Sequence, residues 1–276
     1  MRTVTVTRYV TPLREGGSLP AIVEADDDGL YVLKFRGAGQ GTPALVAELV
    51  AGEIARALGL PVPELVFASL DRELARTEPD PEIHGLIHDS AGLNLALDYL
   101  PGSVTFDPVV HAIDPELAAR IVWFDGYVTN VDRTPRNTNM LWWHRQPWLI
   151  DHGASLYFHH SPGWQDEPAR ARDPFAMLDR HVLRAPAGAI SRVDEPLAAM
   201  LGGRVLEDIV DLVPAAWLPG TGPDGDAAPV RAAYVAYLRA AASAGWPPRE
   251  APSCRPHRST PAARPTRGRR STTCSA

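Results

Sequence analysis

The apolar residues of this chain change their period part-way along, and that change restricts the fold more than any single residue does. Up to about residue 97 they alternate with polar ones in short runs, TVTRYV, PAIVEA, LYVLKF, ELVFASL and LNLALDYL, with one helical stretch among them. From about residue 99 to 245 the spacing becomes helical, in PELAARIVWFDGYV, DPFAMLDRHVL, EPLAAMLGGRVLEDIVDLV and PVRAAYVAYLRAAASA, with one short hairpin inside. The expectation is an α+β chain, with a small β-rich lobe carrying one helix over residues 1–98 and a larger, mainly helical lobe over 99–247. Residues 248–276 are rich in Pro, Arg, Ser and Thr and offer little to pack, which predicts a disordered tail.

Charge divides along the same line. The formal net charge is −6, yet Arg249, Arg255, Arg258, Arg264, Arg267, Arg269 and Arg270 all fall in the last 28 residues, so the body is more acidic than the total. An acidic body argues against nucleic acid as a partner of the main domain, because phosphate-backbone binding needs a basic face. No stretch approaches the ~20 apolar residues that span a bilayer, and MRTVTVTRYV has no signal-like apolar core, so a cytoplasmic protein with no membrane partner is expected. Both cysteines, Cys254 and Cys274, lie in the tail, which leaves the body neither a disulfide nor a thiolate metal ligand.

Lys34 is the only lysine among 27 lysines and arginines. An ammonium is a compact point charge that fits between a phosphate and a carboxylate, whereas a guanidinium is a broad planar fork. In LYVLKF, Tyr31, Leu33 and Phe35 share one strand face, while Val32 and Lys34 share the other, so Lys34 projects towards a cleft. The following helix is expected to start with Thr42 as N-cap and Pro43 at its first position, and to stop at Gly59 and Pro61. Glu48 falls beside the helix face expected to pack on the sheet, where a carboxylate needs a cation; Lys34 is the candidate partner, and Glu53 rivals Glu48 for it. Two glycine turns, Gly37, Gly39 and Gly41 before the helix, and Gly16, Gly17 and Ser18 between the first two strands, can each aim backbone N–H groups at an anion.

The segment FDGYVTNVDRTPRNTNMLWWHRQPWLIDHG carries the most specific pattern. Asp132 ends a helical stretch, Asn137 follows five residues later, and a hairpin of NMLWW and PWLI returns Asp151 to the neighbourhood of Asn137. The three side chains together offer hard oxygen ligands suited to Mg²⁺, with one carboxylate left over to orient a nucleophile. The spacing follows the kinase pattern of a catalytic-loop Asp, an Asn at the fifth position after it, a hairpin and a DxG ligand. On LPAIVEADDDGLYVLKFRGAGQGTPALVAELVAGEIARALGLPVPE together with that segment, over most of residues 15 to 155, the chain resembles the HipA-like kinase family and, more distantly, the phosphoinositide kinases.

The resemblance implies a protein-kinase-like bilobal fold with ATP between the lobes, and an ATP- and Mg²⁺-dependent transfer of phosphate to a hydroxyl acceptor, foremost protein Ser/Thr. By matching motifs, Lys34 would contact phosphates with Glu48 as its partner, Asp132 would be the catalytic aspartate, and Asn137 and Asp151 would hold Mg²⁺. ALDYLPGS would connect the lobes, with backbone around Leu97, Asp98 and Tyr99 binding adenine and Val32 lining its pocket. A nucleotide-binding pseudokinase acting through partner contacts, or a small-molecule or lipid kinase, are the alternatives. Arg133 and Arg136 are open between substrate contact and ion pairs on the loop. His84 with His88, and His159 with His160, lack a third metal ligand and read as surface or loop residues. Asp26, Asp27 and Asp28 read as a solvated turn, and Trp123, Trp142, Trp143 and Trp148 as core.

Overall fold

The computed structural model describes residues 1–13, 19–173, 175–218 and 225–245. The Gly16, Gly17 and Ser18 turn and the tail over 248–276 lie outside the described residues. Strands β1 (Thr3–Pro12), β2 (Ala21–Ala25) and β3 (Leu30–Lys34) run antiparallel in sequence order. The turn between β2 and β3 is the aspartate run, where Asp28 takes a positive φ of 60° and Asp27 Oδ1 accepts the Gly29 N–H. The chain then leaves the sheet for helix α1 (Gly41–Ala57) before adding β4 (Leu65–Leu70) and β5 (Gly92–Asp98). β5 slots between β3 and β4, and β4 pairs in parallel with β1, so the five strands close into a barrel in the order β1-β2-β3-β5-β4. Closure leaves no free sheet edge, and inward residues such as Val4, Val23, Tyr31, Leu33, Phe35, Val66 and Ala96 fill the interior.

Helix α1 is more deeply enclosed than its sequence suggests. Every residue from Leu45 to Ala55 is buried, Glu48 and Glu53 included, because the helix is sandwiched between the barrel and the helical half. One side meets β4, where Gly52 lies so close to Leu65 that a Cβ there would come within 3.0 Å of Leu65 Cδ1; the opposite side joins the main apolar core with Leu206, Ile209, Val210 and Trp217. A helix that is apolar on all sides belongs in an interior. Its start differs from expectation: it begins at Gly41, with φ +64°, after Gln40, which supplies no side-chain cap, so Thr42 lies within the first turn. Its end is as read, with Gly59 at φ +67°.

Beyond the one helix expected in this half, there is a second, α2 (Pro81–Asp89). It is short and held by its start, with Pro81 at the first position and the Asp80 carboxylate accepting the Glu82 N–H. His84 and His88 sit exposed on it.

After β5 come β6 (Val104–Thr105), α3 (Pro115–Tyr127), and the hairpin of β7 (Met140–Trp143) and β8 (Gln146–Leu149), which turns on His144 and Arg145 at φ 48° and 65°. β6 adds to β7, making a three-stranded sheet of the expected hairpin. Helices α4 (Ser191–Met200), α5 (Val205–Asp211) and α6 (Ala228–Ala242) follow. The stretch read as one helix over EPLAAMLGGRVLEDIVDLV is two, broken at Gly202 and Gly203, the latter at φ +64°. The helix expected over DPFAMLDRHVL is a single 3₁₀ turn at Ala176–Arg180, after which the backbone extends at His181 with φ −66° and ψ 134°.

Candidate active site

The end of β3 points the Lys34 side chain out of the barrel and into a cleft lined by Ala38, Gln40, Gly41, Glu48, Asp151 and Gly153. Two carboxylates share its ammonium: Nζ lies 2.6 Å from Asp151 Oδ1 and 3.4 Å from Glu48 Oε2. The competition between the two glutamates is resolved by position along α1, since Glu53 is taken by Arg56 at 2.6 Å. Burial alone would push the lysine down, but the charges of Glu48 and Asp151 win and hold it above the ordinary lysine range. Burial likewise opposes the ionised form of Glu48, yet Lys34 and the His152 contacts keep it well below the usual carboxylate range.

Glu48 also reaches the loop that carries Asp151. Its Oε1 accepts the backbone N–H of His152 at 3.0 Å and lies 3.4 Å from His152 Nδ1, while the His152 ring stands edge-on to Phe124 of α3 at 5.7 Å. One buried carboxylate thus fixes both the lysine and the chain next to Asp151. Asp151 itself takes φ +55°, an uncommon conformation for a residue with a Cβ, and keeps its side chain 42% exposed against 2% for Glu48.

The second group of residues sits on the loop after α3. Asn137 Nδ2 donates to Asp132 Oδ2 at 2.7 Å, Asn139 Nδ2 approaches the same oxygen at 3.2 Å, and the Asp132 N–H donates to Asn130 Oδ1 at 3.0 Å. The two groups are tied together by backbone, because the Ile150 N–H, one residue before Asp151, donates to Asn139 O at 3.1 Å. The hairpin therefore returns Asp151 to the Asp132 loop, as its spacing predicts.

Other residues fall less simply. Gly37 and Gly41 direct their N–H groups inward, to Ser90 Oγ at 3.0 Å and Ala38 O at 2.7 Å; Gly39 alone has open space around it. The Asp98 and Tyr99 N–H groups donate to Glu64 O and Leu30 O, at 2.9 and 3.0 Å. Val32 lies half-buried on the lysine face of β3. Arg133 is buried rather than presented to a substrate, and its Nε donates to Asp125 Oδ2 at 2.6 Å. Arg136 is exposed. Trp123 packs in the core against Tyr127, and Trp142, Trp143 and Trp148 are half-buried around the hairpin. Asp125 escaped the sequence reading, although an acid inside the apolar run IVWFDGYV requires a cation and Arg133 stands eight residues on.

Among the described residues, no helix is long and apolar enough to cross a membrane. No curated protein matches the chain. Among solved structures, the Helicobacter pylori proinflammatory kinase CtkA aligns with a TM-score of 0.49 and 13% identity over 87% of this chain and 93% of its own. The Golgi casein kinase aligns at 0.44 and 12%, over 88% of this chain and 71% of its own, and its form with Mn/ADP bound at 0.44 and 12%, over 88% and 72%. A family model described as HipA-like kinase matches residues 6–167, a span that contains Lys34, Glu48, Asp132, Asn137 and Asp151. The chain is a phosphotransferase that belongs to the HipA-like kinase family.

Proposed function

We propose that this protein is an ATP- and Mg²⁺-dependent kinase that passes the γ-phosphate to a hydroxyl, with protein Ser or Thr as the acceptor, at a cleft between a β-rich lobe over 1–98 and a helical lobe over 99–247. The observation that carries the reading is the shared ammonium: Lys34 stands between a buried carboxylate and an exposed one, at 3.4 and 2.6 Å. A buried Glu48 holds the lysine in place, while the exposed Asp151 is the one a cation can reach.

The donor chemistry suits Mg²⁺, which takes oxygen ligands. Asn137 spends its NH₂ on Asp132, which leaves its carbonyl oxygen as a ligand, and Asp151 has a second oxygen beyond the one on Lys34. Bound Mg²⁺ would offset the charge of the transferring phosphate. Lys34 then holds the same phosphates as a point charge, and the turn from Gly37 to Gly41, with Gly41 lining the cleft and open space at Gly39, is the candidate to approach them. Asp132 accepts the hydrogen bond of the acceptor hydroxyl and orients it for in-line attack. Adenine recognition next to β5 falls to carbonyls and to Val32, because the Asp98 and Tyr99 N–H groups are already engaged.

The test is phosphate transfer from labelled ATP with Mg²⁺ to proteins of a lysate, compared with Asp132→Asn. Transfer to Ser or Thr that falls by about 10²–10⁴-fold in the variant, with nucleotide binding kept, supports the reading. Transfer that survives the substitution, or none in the wild type, overturns it.

A further inference from the structure

Beneath the Asp132 loop lies an acid that no motif marks. Asp125, in the last turns of α3, is fully buried, and both oxygens of its carboxylate are engaged: Oδ1 accepts Asn130 Nδ2 at 2.8 Å, and Oδ2 accepts Arg133 Nε at 2.6 Å and faces His181 Nε2 at 2.8 Å. A buried ion pair is expensive to desolvate, and replacing one by apolar residues is often neutral or better for stability, so its presence points to a positional task.

Two hydrogen-bonded routes run from Asp125 to Asp132. Asn130 receives one end of the first route and passes it on, since its Oδ1 accepts the Asp132 backbone N–H at 3.0 Å. Arg133 carries the second: its Nη1 donates to the carbonyl of Asn139, whose side chain reaches Asp132 Oδ2 at 3.2 Å. One route fixes the backbone of Asp132, the other the carboxylate, which sets both the position and the direction of that side chain.

His181 closes the arrangement from outside α3. Its Nδ1 accepts the Leu183 N–H at 3.0 Å, so the ring proton resides on Nε2 and is donated to Asp125. The next residue makes the same connection through backbone, with the Val182 N–H donating to Arg133 O at 3.1 Å. The 3₁₀ turn at Ala176–Arg180 stops one residue before, and His181 is extended where its ring meets the acid.

We infer that Asp125 and His181 are positioning residues for phosphoryl transfer, which hold the loop from Asn130 to Asn139 so that the Asp132 carboxylate meets the acceptor hydroxyl. The inference rests on the proposed role of Asp132, and its experiment separates the two. Asp125→Asn strands the buried Arg133 charge and risks the fold, so His181 is the residue to vary. His181→Asn keeps an acceptor for the Leu183 N–H and loses the donor to Asp125; His181→Gln keeps a donor in the place of Nε2.

Two readouts apply to each variant. In steady-state transfer, His181→Asn should lose about 10²-fold in kcat, as expected for a reacting group misplaced by about 1 Å, with the KM for ATP changed less than about threefold, and His181→Gln should recover most of the loss. In amide hydrogen exchange, which needs no activity, His181→Asn should speed exchange at Asp132, Thr134 and Asn137 while the barrel is unchanged. Unaltered exchange in that loop overturns the inference, whatever the catalytic result. So does a lower melting temperature with kcat per folded molecule at the wild-type value, which would leave His181 a purely structural part.

Discussion

Replacing Glu48 by glutamine tests the central charge arrangement, because the change alters one buried charge and almost no volume. The two oxygens of Glu48 have separate partners: Oε1 takes the His152 N–H at 3.0 Å, and Oε2 faces Lys34 Nζ at 3.4 Å. A glutamine keeps its carbonyl on the His152 N–H, since its NH₂ would clash there donor against donor, and so turns the NH₂ towards the ammonium. At 3.4 Å and an effective dielectric constant of about 20, the lost attraction is roughly 5 kcal/mol gross. Relief of the carboxylate's own desolvation returns part of this, and Asp151 remains on the lysine at 2.6 Å. A net loss of about 2–3 kcal/mol is left, equivalent to roughly 30- to 150-fold in kcat/KM for ATP. The metal dependence should shift as well. With Glu48 neutral, Asp151 is the sole carboxylate on Lys34, so Mg²⁺ competes for it less well and half-maximal activity moves to higher Mg²⁺. Steady-state rates over a grid of ATP and Mg²⁺ concentrations read both effects. A folded Glu48→Gln protein within threefold of wild type across the grid would refute the reasoning and reduce the Lys34 pair to a packing detail.

The pH dependence of the Glu48 pair and the fit of α1 against β4 give two further tests. Glu48 is held below the usual carboxylate range, so its contribution to stability is complete above its unfolded value and is lost as the pH falls through the folded one. The gap in melting temperature between wild type and Glu48→Gln should therefore be constant from about pH 8 to 5 and narrow below about pH 4.5; a gap that persists unchanged to about pH 3 contradicts it. Gly52→Ala places a Cβ 3.0 Å from Leu65 Cδ1 and 3.1 Å from Cδ2. Although alanine is the better helix former, overpacking between α1 and β4 should dominate and lower stability by about 1–3 kcal/mol in urea unfolding, and a stabilised variant would show that β4 yields freely.

The parts of this molecule that were legible in the sequence are those whose signal is local. Strand alternation places Lys34 on the opposite face from Tyr31 and Leu33, and the structure agrees, with Tyr31 and Leu33 in the barrel core and Lys34 lining the cleft. The spacing of Asp132, Asn137 and Asp151 survives because a two-residue hairpin turn fixes the return of the chain. What the sequence hid depends on distant partners. Barrel closure requires β1 to find β4 in parallel, a pairing that no periodicity announces. The double-sided burial of α1 follows from the helical half packing over it, so a pattern read as one apolar face has two. The break at Gly202 and Gly203 is local, with Gly203 at φ +64°, whereas DPFAMLDRHVL forms one turn and then an extended His181 that meets Asp125.

The choice of cation at two places in the site follows from what each cation must do. Arg133 is committed: its fork donates through Nε to Asp125 and through Nη1 to the carbonyl of Asn139, two acceptors that lie on different elements and never have to part. A fixed pair of hydrogen bonds in set directions is what a guanidinium provides. Lys34 has the opposite duty. Its two carboxylate partners differ in burial, and one of them, Asp151, is also the proposed metal ligand, so in the proposed mechanism the ammonium gives up that contact and takes a phosphate oxygen without moving its stem. A charge with no preferred plane can exchange partners by small rotations, whereas a planar fork has to reorient as a whole. On that mechanism, a chain with 26 arginines and one lysine carries the lysine at the position where the partner changes.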